Sequence, residues 1–221
     1  MATLDVIVAL PWERRAVLRA FPGASRVAAT GPRLWAGEIE GGRLRLLQTG
    51  MGQDAARSAL AALPGSGPWI VVGCAGGLAP HLAAGDVVVA DAVVAGRDRW
   101  SCDPTWTGQV AAAIAAAGLR PQRGLVASAG AALLTAADKR RAHAACGALV
   151  VEMEGAAIAA AAATRGVPVA MVRVVDDAAT TIAADVGAAL AALPLDIVAA
   201  RLAVVARALA GLRCGDRAGA R

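Results

Sequence analysis

Aromatic and metal-ligating side chains are scarce in this 221-residue chain, which has no tyrosine, a single phenylalanine at Phe21, and only two histidines, His81 and His143. The four cysteines, Cys74, Cys102, Cys146 and Cys214, form no CxxC pair and keep no regular spacing. With so little histidine beside them they describe neither a zinc site nor a disulfide framework, and they read as reduced, partly buried thiols. No metal and no organic cofactor is expected. The longest stretch without acidic or basic residues, 58–85, exceeds the ~20 residues that cross a bilayer. Three prolines and six glycines divide it into helix end, turn, strand and loop. The first ten residues carry Asp5 and no basic leader, so no signal peptide is expected and the protein reads as cytoplasmic.

Basic charge is present but badly placed for nucleic acid. Of the formal net charge of +5, residues 201–221 contribute +4 through five arginines and one aspartate. The rest of the chain is close to neutral and shows no basic patch interleaved with aromatics, so the electrostatic footprint of a nucleic-acid binder is missing. A hydrophobic fraction of 57%, much of it alanine, fits one well-buried domain of ordinary size.

Strand-like and helix-like segments alternate along the chain. Leu4 to Leu10 is an apolar run followed by Pro11 and the helix opener Trp12-Glu13-Arg14-Arg15. Strands are expected over 43–49, 69–73, 87–94, 124–128, around Glu152 and Glu154, and over 168–175. Helices are expected over 53–63 (stopped by Pro64-Gly65), 109–117, 136–145 and 156–165. Alternation of this kind predicts a three-layer α/β/α sandwich with a central mixed, mostly parallel sheet, in one domain over 1–212 with a disordered basic tail at 213–221. A stripe of Leu195, Val198, Leu202, Val205, Leu209 and Leu212, spaced three and four apart and flanked by Arg201 and Arg213, describes a C-terminal amphipathic helix. It either covers one sheet face or meets a membrane surface.

Ligands of parallel α/β sheets collect beyond the carboxyl ends of the strands. Those positions hold Glu13, the turn Gly50-Met51-Gly52, the run Cys74-Ala75-Gly76-Gly77, the pair Glu152 and Glu154, and the pair Asp176 and Asp177. Four of only seventeen acids in the chain fall at the last two strand ends. Carboxylates beside buried apolar strand need a partner or a task. Gly50 and Gly52, ahead of a helix N-terminus, could hold a phosphate or ribose oxygen, and Arg14 is a further candidate for an anion. Glu152 and Glu154, two apart on a strand, would face one side. Cleavage of a glycosidic bond through an oxocarbenium-like state uses an acid for the leaving group and a carboxylate or base near the sugar. Structural roles stand beside this reading: an ion pair with Arg173, or a helix cap by Asp176.

The segments Glu152-Met153-Glu154-Gly155-Ala156-Ala157, Val172-Arg173-Val174-Val175-Asp176-Asp177, Gly73-Cys74-Ala75-Gly76-Gly77-Leu78 and Gly85-Asp86-Val87-Val88-Val89 resemble, in order, the signature segments of the nucleoside phosphorylase/nucleosidase superfamily. They are most similar to its methylthioadenosine/adenosylhomocysteine nucleosidase branch. The resemblance implies that Glu154 grips the ribose hydroxyls and Met153 packs on the sugar. It further implies that Asp177 hydrogen-bonds or protonates the purine N7, and that Glu13 orients or deprotonates the nucleophile. Cys74 stands near the nucleophile where serine is common, and Asp176 replaces the nucleosidases' usual serine. Glu152 and Asp176 would tune their neighbours. The base-stacking phenylalanine expected after the strand at 124–128 is missing, which leaves Trp12 or a neighbouring subunit to supply an aromatic.

Residues 99–106 (Arg-Trp-Ser-Cys-Asp-Pro-Thr-Trp) and 135–139 (Thr-Ala-Ala-Asp-Lys) resemble the hopanoid-associated phosphorylases. That similarity implies an adenosylated hopanoid-like lipid as substrate, inorganic phosphate as co-substrate, and peripheral contact with the inner membrane through the C-terminal helix. The alternatives are hydrolysis of methylthioadenosine, adenosylhomocysteine or futalosine, and a catalytically silent nucleoside-binding or storage relative. Family habit implies a homodimer or larger homo-oligomer.

Overall fold

The computed structural model describes residues 2–28, 30–39, 42–63 and 67–212. The expected basic tail at 213–221 and the Pro64-Gly65 helix stop lie outside these residues. In chain order the elements are β1 (Ala2–Val8), α1 (Pro11–Leu18), β2 (Ser25–Arg26), β3 (Leu34–Ile39), β4 (Gly42–Gln48), α2 (Gln53–Leu60), β5 (Trp69–Gly77), β6 (Val87–Ala95) and β7 (Asp98–Ser101). There follow α3 (Pro104–Ala116), β8 (Gln122–Ser128), α4 (Ala136–Cys146), β9 (Val150–Glu152), α5 (Gly155–Arg165), β10 (Val169–Asp177), α6 (Val186–Ala191) and α7 (Leu195–Ala210).

All the described strands join one mixed sheet. Parallel pairs are β1–β4, β1–β5, β5–β10, β6–β8 and β8–β9. The pairs β6–β10, β2–β3, β3–β4, β5–β9 and β6–β7 are antiparallel. Three of the five antiparallel pairs involve the short strands β2, β3 and β7, which carry no period-2 pattern long enough to be read in advance. Strand β5 is central and pairs with β1, β9 and β10. Since β10 continues to β6, β8 and β9, the five strands β5, β10, β6, β8 and β9 close into a ring.

Apolar runs explain the burial. Val6, Ile7, Ile70, Val72, Val88, Val89, Val172 and Val174 have no exposed surface, as expected of strands covered on both faces. One core lies between the sheet and α2 and α5, the other between the sheet and α1, α3 and α7. The predicted amphipathic helix is α7, and Val198, Leu202, Val205 and Leu209 on its stripe are fully buried. These side chains cover the sheet, so they are not a surface for lipid, and among the described residues no helix is long and apolar enough to cross a membrane. Helix starts follow their caps: Asp103 accepts the Trp106 N–H at 2.7 Å ahead of Pro104, and Thr135 accepts the Asp138 N–H at 3.1 Å.

Candidate functional site

Glu13 sits in the first turn of α1, immediately past the end of β1, and is 2% exposed. Its Oε2 accepts the N–H groups of Ala9 (3.0 Å) and Leu10 (2.7 Å), closing the helix N-terminus, and its Oε1 accepts the Cys74 N–H at 2.8 Å. One carboxylate thus ties β1, α1 and β5 together. Glycine makes the approach possible: a Cβ at Gly73 would stand 2.7 Å from Glu13 Oε1 and 3.0 Å from Arg173 Nη1.

Glu152 and Glu154 do not share a strand face. β9 ends at Glu152, and Glu154 lies beyond it with helical backbone angles as the residue capping α5, so the two side chains diverge. Glu152 turns into the protein. It accepts Arg173 Nη2 at 2.6 Å and the N–H groups of Glu154 (3.1 Å) and Gly155 (2.7 Å). The ion pair with Arg173 is therefore real, and it belongs to Glu152. Both partners are more than nine-tenths buried, and although burial alone would weaken the Arg173 guanidinium's hold on its proton, the charges of Glu152, Glu154 and Glu13 raise its pKa. Glu154 turns toward the cavity, where its Oε1 accepts the Gly52 N–H at 2.6 Å. Burial, and then the charge of Glu152, push the Glu154 carboxyl up to about 7.

Asp176 and Asp177 are the last residues of β10, within the strand. The register of β10 against β5 slips between Val175 and Asp177, so that Asp177 pairs with Gly76. Adjacent side chains on a regular strand point to opposite faces; a bulge re-aims them, and here both carboxylates line one cavity. Asp176 stands by Cys74, and burial together with the neighbouring Asp177 charge lifts its carboxyl to about 6. Burial and the Glu13 charge hold the Cys74 thiol well above its ordinary range, so it is a neutral hydrogen-bonding group. Asp177 Oδ2 accepts Lys139 Nζ at 2.5 Å, and the same ammonium donates to the Ala178 carbonyl at 3.0 Å. Asp177 Oδ1 lies over Gly76, where a Cβ would come within 2.9 Å, and it has no hydrogen-bond partner among the described residues.

The cavity brings Glu13, Cys74, Glu152, Met153, Glu154, Asp176 and Asp177 together. It leaves out the anion site expected at Gly50, Gly52 and Arg14. The Gly52 N–H is taken by Glu154, the Gly50 N–H donates to the Ala9 carbonyl at 3.0 Å, and Arg14 bonds Gln48 at 2.8 Å while stacking on Trp35. Trp12 packs into the core beside α7 and does not line the cavity. In place of an aromatic, the lining is aliphatic: Met51, Leu133 and Leu134, with Val186, Leu190 and Leu193 of the α6 region. The sequence alone assigns no site role to α6, to Lys139, or to Ser128, whose Oγ accepts the Ala156 N–H at 3.0 Å and so helps fix the start of α5. No group of histidine, cysteine, aspartate and glutamate among the described residues could hold a metal ion.

Known proteins share this architecture. The structure of S-adenosylhomocysteine nucleosidase from Streptococcus pyogenes is similar over 96% of this chain and 97% of its own, with 27% identity and a TM-score of 0.80. The 5'-methylthioadenosine/S-adenosylhomocysteine nucleosidases of Neisseria meningitidis (23% identity, 96% and 100% covered, TM-score 0.80) and Campylobacter jejuni (16%, 95% and 97%, TM-score 0.81) share the fold. No curated protein matched the chain by sequence. The model of the phosphorylase superfamily matches residues 3–210, nearly the whole length and every side chain of the cavity. By that match the chain belongs to the phosphorylase superfamily.

Proposed function

We propose that this protein hydrolyses the N-glycosidic bond of a 5'-substituted adenine nucleoside, releasing adenine and the free sugar. The observation that carries the choice of water over phosphate is the charge of the cavity. Five carboxylates line it; the one cation in the lining, Lys139, is committed to Asp177, and Arg173 behind the wall is committed to Glu152. A phosphate dianion would find no unpaired guanidinium among the lining residues, whereas an oxocarbenium-like sugar is stabilised by such surroundings. In this reading the second oxygen of Glu154 accepts the ribose hydroxyls, Met153 packs on the sugar, and Asp177 protonates N7 of the departing purine. Glu13, fixed by three N–H donors, orients the water and takes its proton. Cys74 and Asp176 complete the wall on the nucleophile side. The similar enzymes of S. pyogenes and N. meningitidis are described in complex with 5-methylthiotubericidin and methylthio-immucillin-A, which supports a methylthio-type substrate.

A longer apolar 5' substituent, as in an adenosyl-lipid, is a second reading. It is favoured by the aliphatic α6 wall, where Val186 and Leu190 are each 39% exposed, and by Ile182 nearby in the chain at 71%. Adenine release is to be measured from methylthioadenosine, adenosylhomocysteine and adenosylhopane, with and without phosphate. Phosphate-independent release from methylthioadenosine is expected. Strict phosphate dependence overturns the hydrolytic assignment, and release from none of the three leaves a silent nucleoside binder.

A further inference from the structure

Lys139 is the only lysine in the chain; every other residue among the 22 Lys and Arg is arginine. This one lysine is 1% exposed, although lysine is among the residues least often fully buried. It stands in the first turn of α4, after the Thr135 cap, and reaches across to the end of β10, where its ammonium holds Asp177 Oδ2 and the Ala178 carbonyl. A planar guanidinium is suited to forked, two-point contact, whereas an ammonium is a compact point charge. The geometry here calls for the second: one carboxylate oxygen and one carbonyl, while the other carboxylate oxygen has no partner among the described residues.

We infer that Lys139 is a positioning residue for the leaving-group step, fixing Asp177 through Oδ2 and meeting the negative charge that forms on it as the Oδ1 proton passes to the base. This rests on the reading of Asp177 as the general acid. In that step the Asp177 Oδ1–H bond breaks and the N7–H bond forms, while the glycosidic electron pair leaves with the purine. As the proton leaves, the charge that develops on Asp177 meets a cation already in contact with its other oxygen. Oδ1 has no hydrogen-bond partner among the described residues and lies buried over Gly76, so a rotation of the carboxyl group about the Lys139 contact would present its proton to the base.

The role is separable from mere support by changing the leaving group. Methylthioadenosine needs its base protonated on departure; the corresponding 4-nitrophenyl 5-methylthioriboside expels a stable anion that does not. The Lys139→Met and Lys139→Gln variants are expected to lose about 10²- to 10³-fold in kcat on the purine substrate, yet less than about tenfold on the nitrophenyl riboside. Asp177→Asn should show the same pattern, and Lys139→Arg should recover part of the purine rate. Equal losses on both substrates, or no loss on the purine, overturn the inference. Wild-type inactivity on both substrates would instead overturn the proposed function. The unmutated protein gives an independent reading: with ¹⁵N-labelled lysine it yields a single side-chain nitrogen signal. That signal is expected to belong to an ammonium and to shift when 5-methylthiotubericidin binds. A neutral amine, or no shift despite binding, also overturns the inference.

Discussion

The Gly52 N–H donates to Glu154 Oε1 at 2.6 Å, joining the start of α2 to the start of α5. The bond leaves the other Glu154 oxygen for a ligand and fixes the direction in which it points. The same carboxylate is pushed up to about 7, chiefly by burial and secondarily by Glu152.

That shift gives Glu154→Gln a pH-dependent effect on stability. In the unfolded chain Glu154 ionises near its ordinary value, about 4.5, so between that pH and about 7 folding takes up a proton and stability falls as pH rises. Glutamine removes the dependence. By chemical denaturation the variant should gain less than about 1 kcal/mol at pH 5 and about 2 to 3 kcal/mol at pH 8, with its turnover reduced at least ~100-fold. The wild-type kcat/KM should fall below about pH 7 as the clamp takes its proton. Equal stability differences at the two pH values would refute this account.

Two neighbouring glycines should separate activity from stability. A methyl group at Gly76 meets the movable Asp177 Oδ1 at 2.9 Å, whereas one at Gly77 meets the Asp177 backbone carbonyl at 2.8 Å. Gly76→Ala should therefore keep the fold to within about 1 kcal/mol while cutting turnover at least ~10-fold, because small misplacements of a reacting group are costly. Gly77→Ala should lose about 1 to 3 kcal/mol of stability. Urea denaturation and initial rates on the two variants test the contrast.

Arg173 and Glu152 should behave as a buried pair. Removing one partner leaves an uncompensated charge, so Arg173→Met is expected to cost about 3 to 5 kcal/mol. Adding Glu152→Gln, whose amide oxygen can still accept the Glu154 and Gly155 N–H groups, should return part of the loss. A double-mutant cycle with no coupling would show that the 2.6 Å contact contributes nothing.

Much of this was legible beforehand where pattern and chemistry coincide. The apolar run ending at Pro11 located β1, α1 and Glu13, and the rhythm of apolar strand and alanine-rich helix located α4, α5 and β10. What periodicity cannot express is contact. The glycines at 76 and 77 read as a loop, but they continue β5, and their missing side chains admit Asp177. Two-residue spacing puts Glu152 and Glu154 on one strand face only if β9 runs past Glu152, and it stops there. α6 escaped notice because Val186 to Ala191 is small and apolar throughout, with no polar face to mark a helix. Lys139 could have been found from composition alone: a single lysine among arginines stands out before any fold is known.

The five-strand ring has a consequence for traffic through the site. Cys74, Glu152, Asp176 and Asp177 all stand on ring strands, and a closed ring has no free edge to peel back. Access therefore falls to the non-strand part of the wall, where the lining side chains of Met51, Val186 and Leu190 reach solvent.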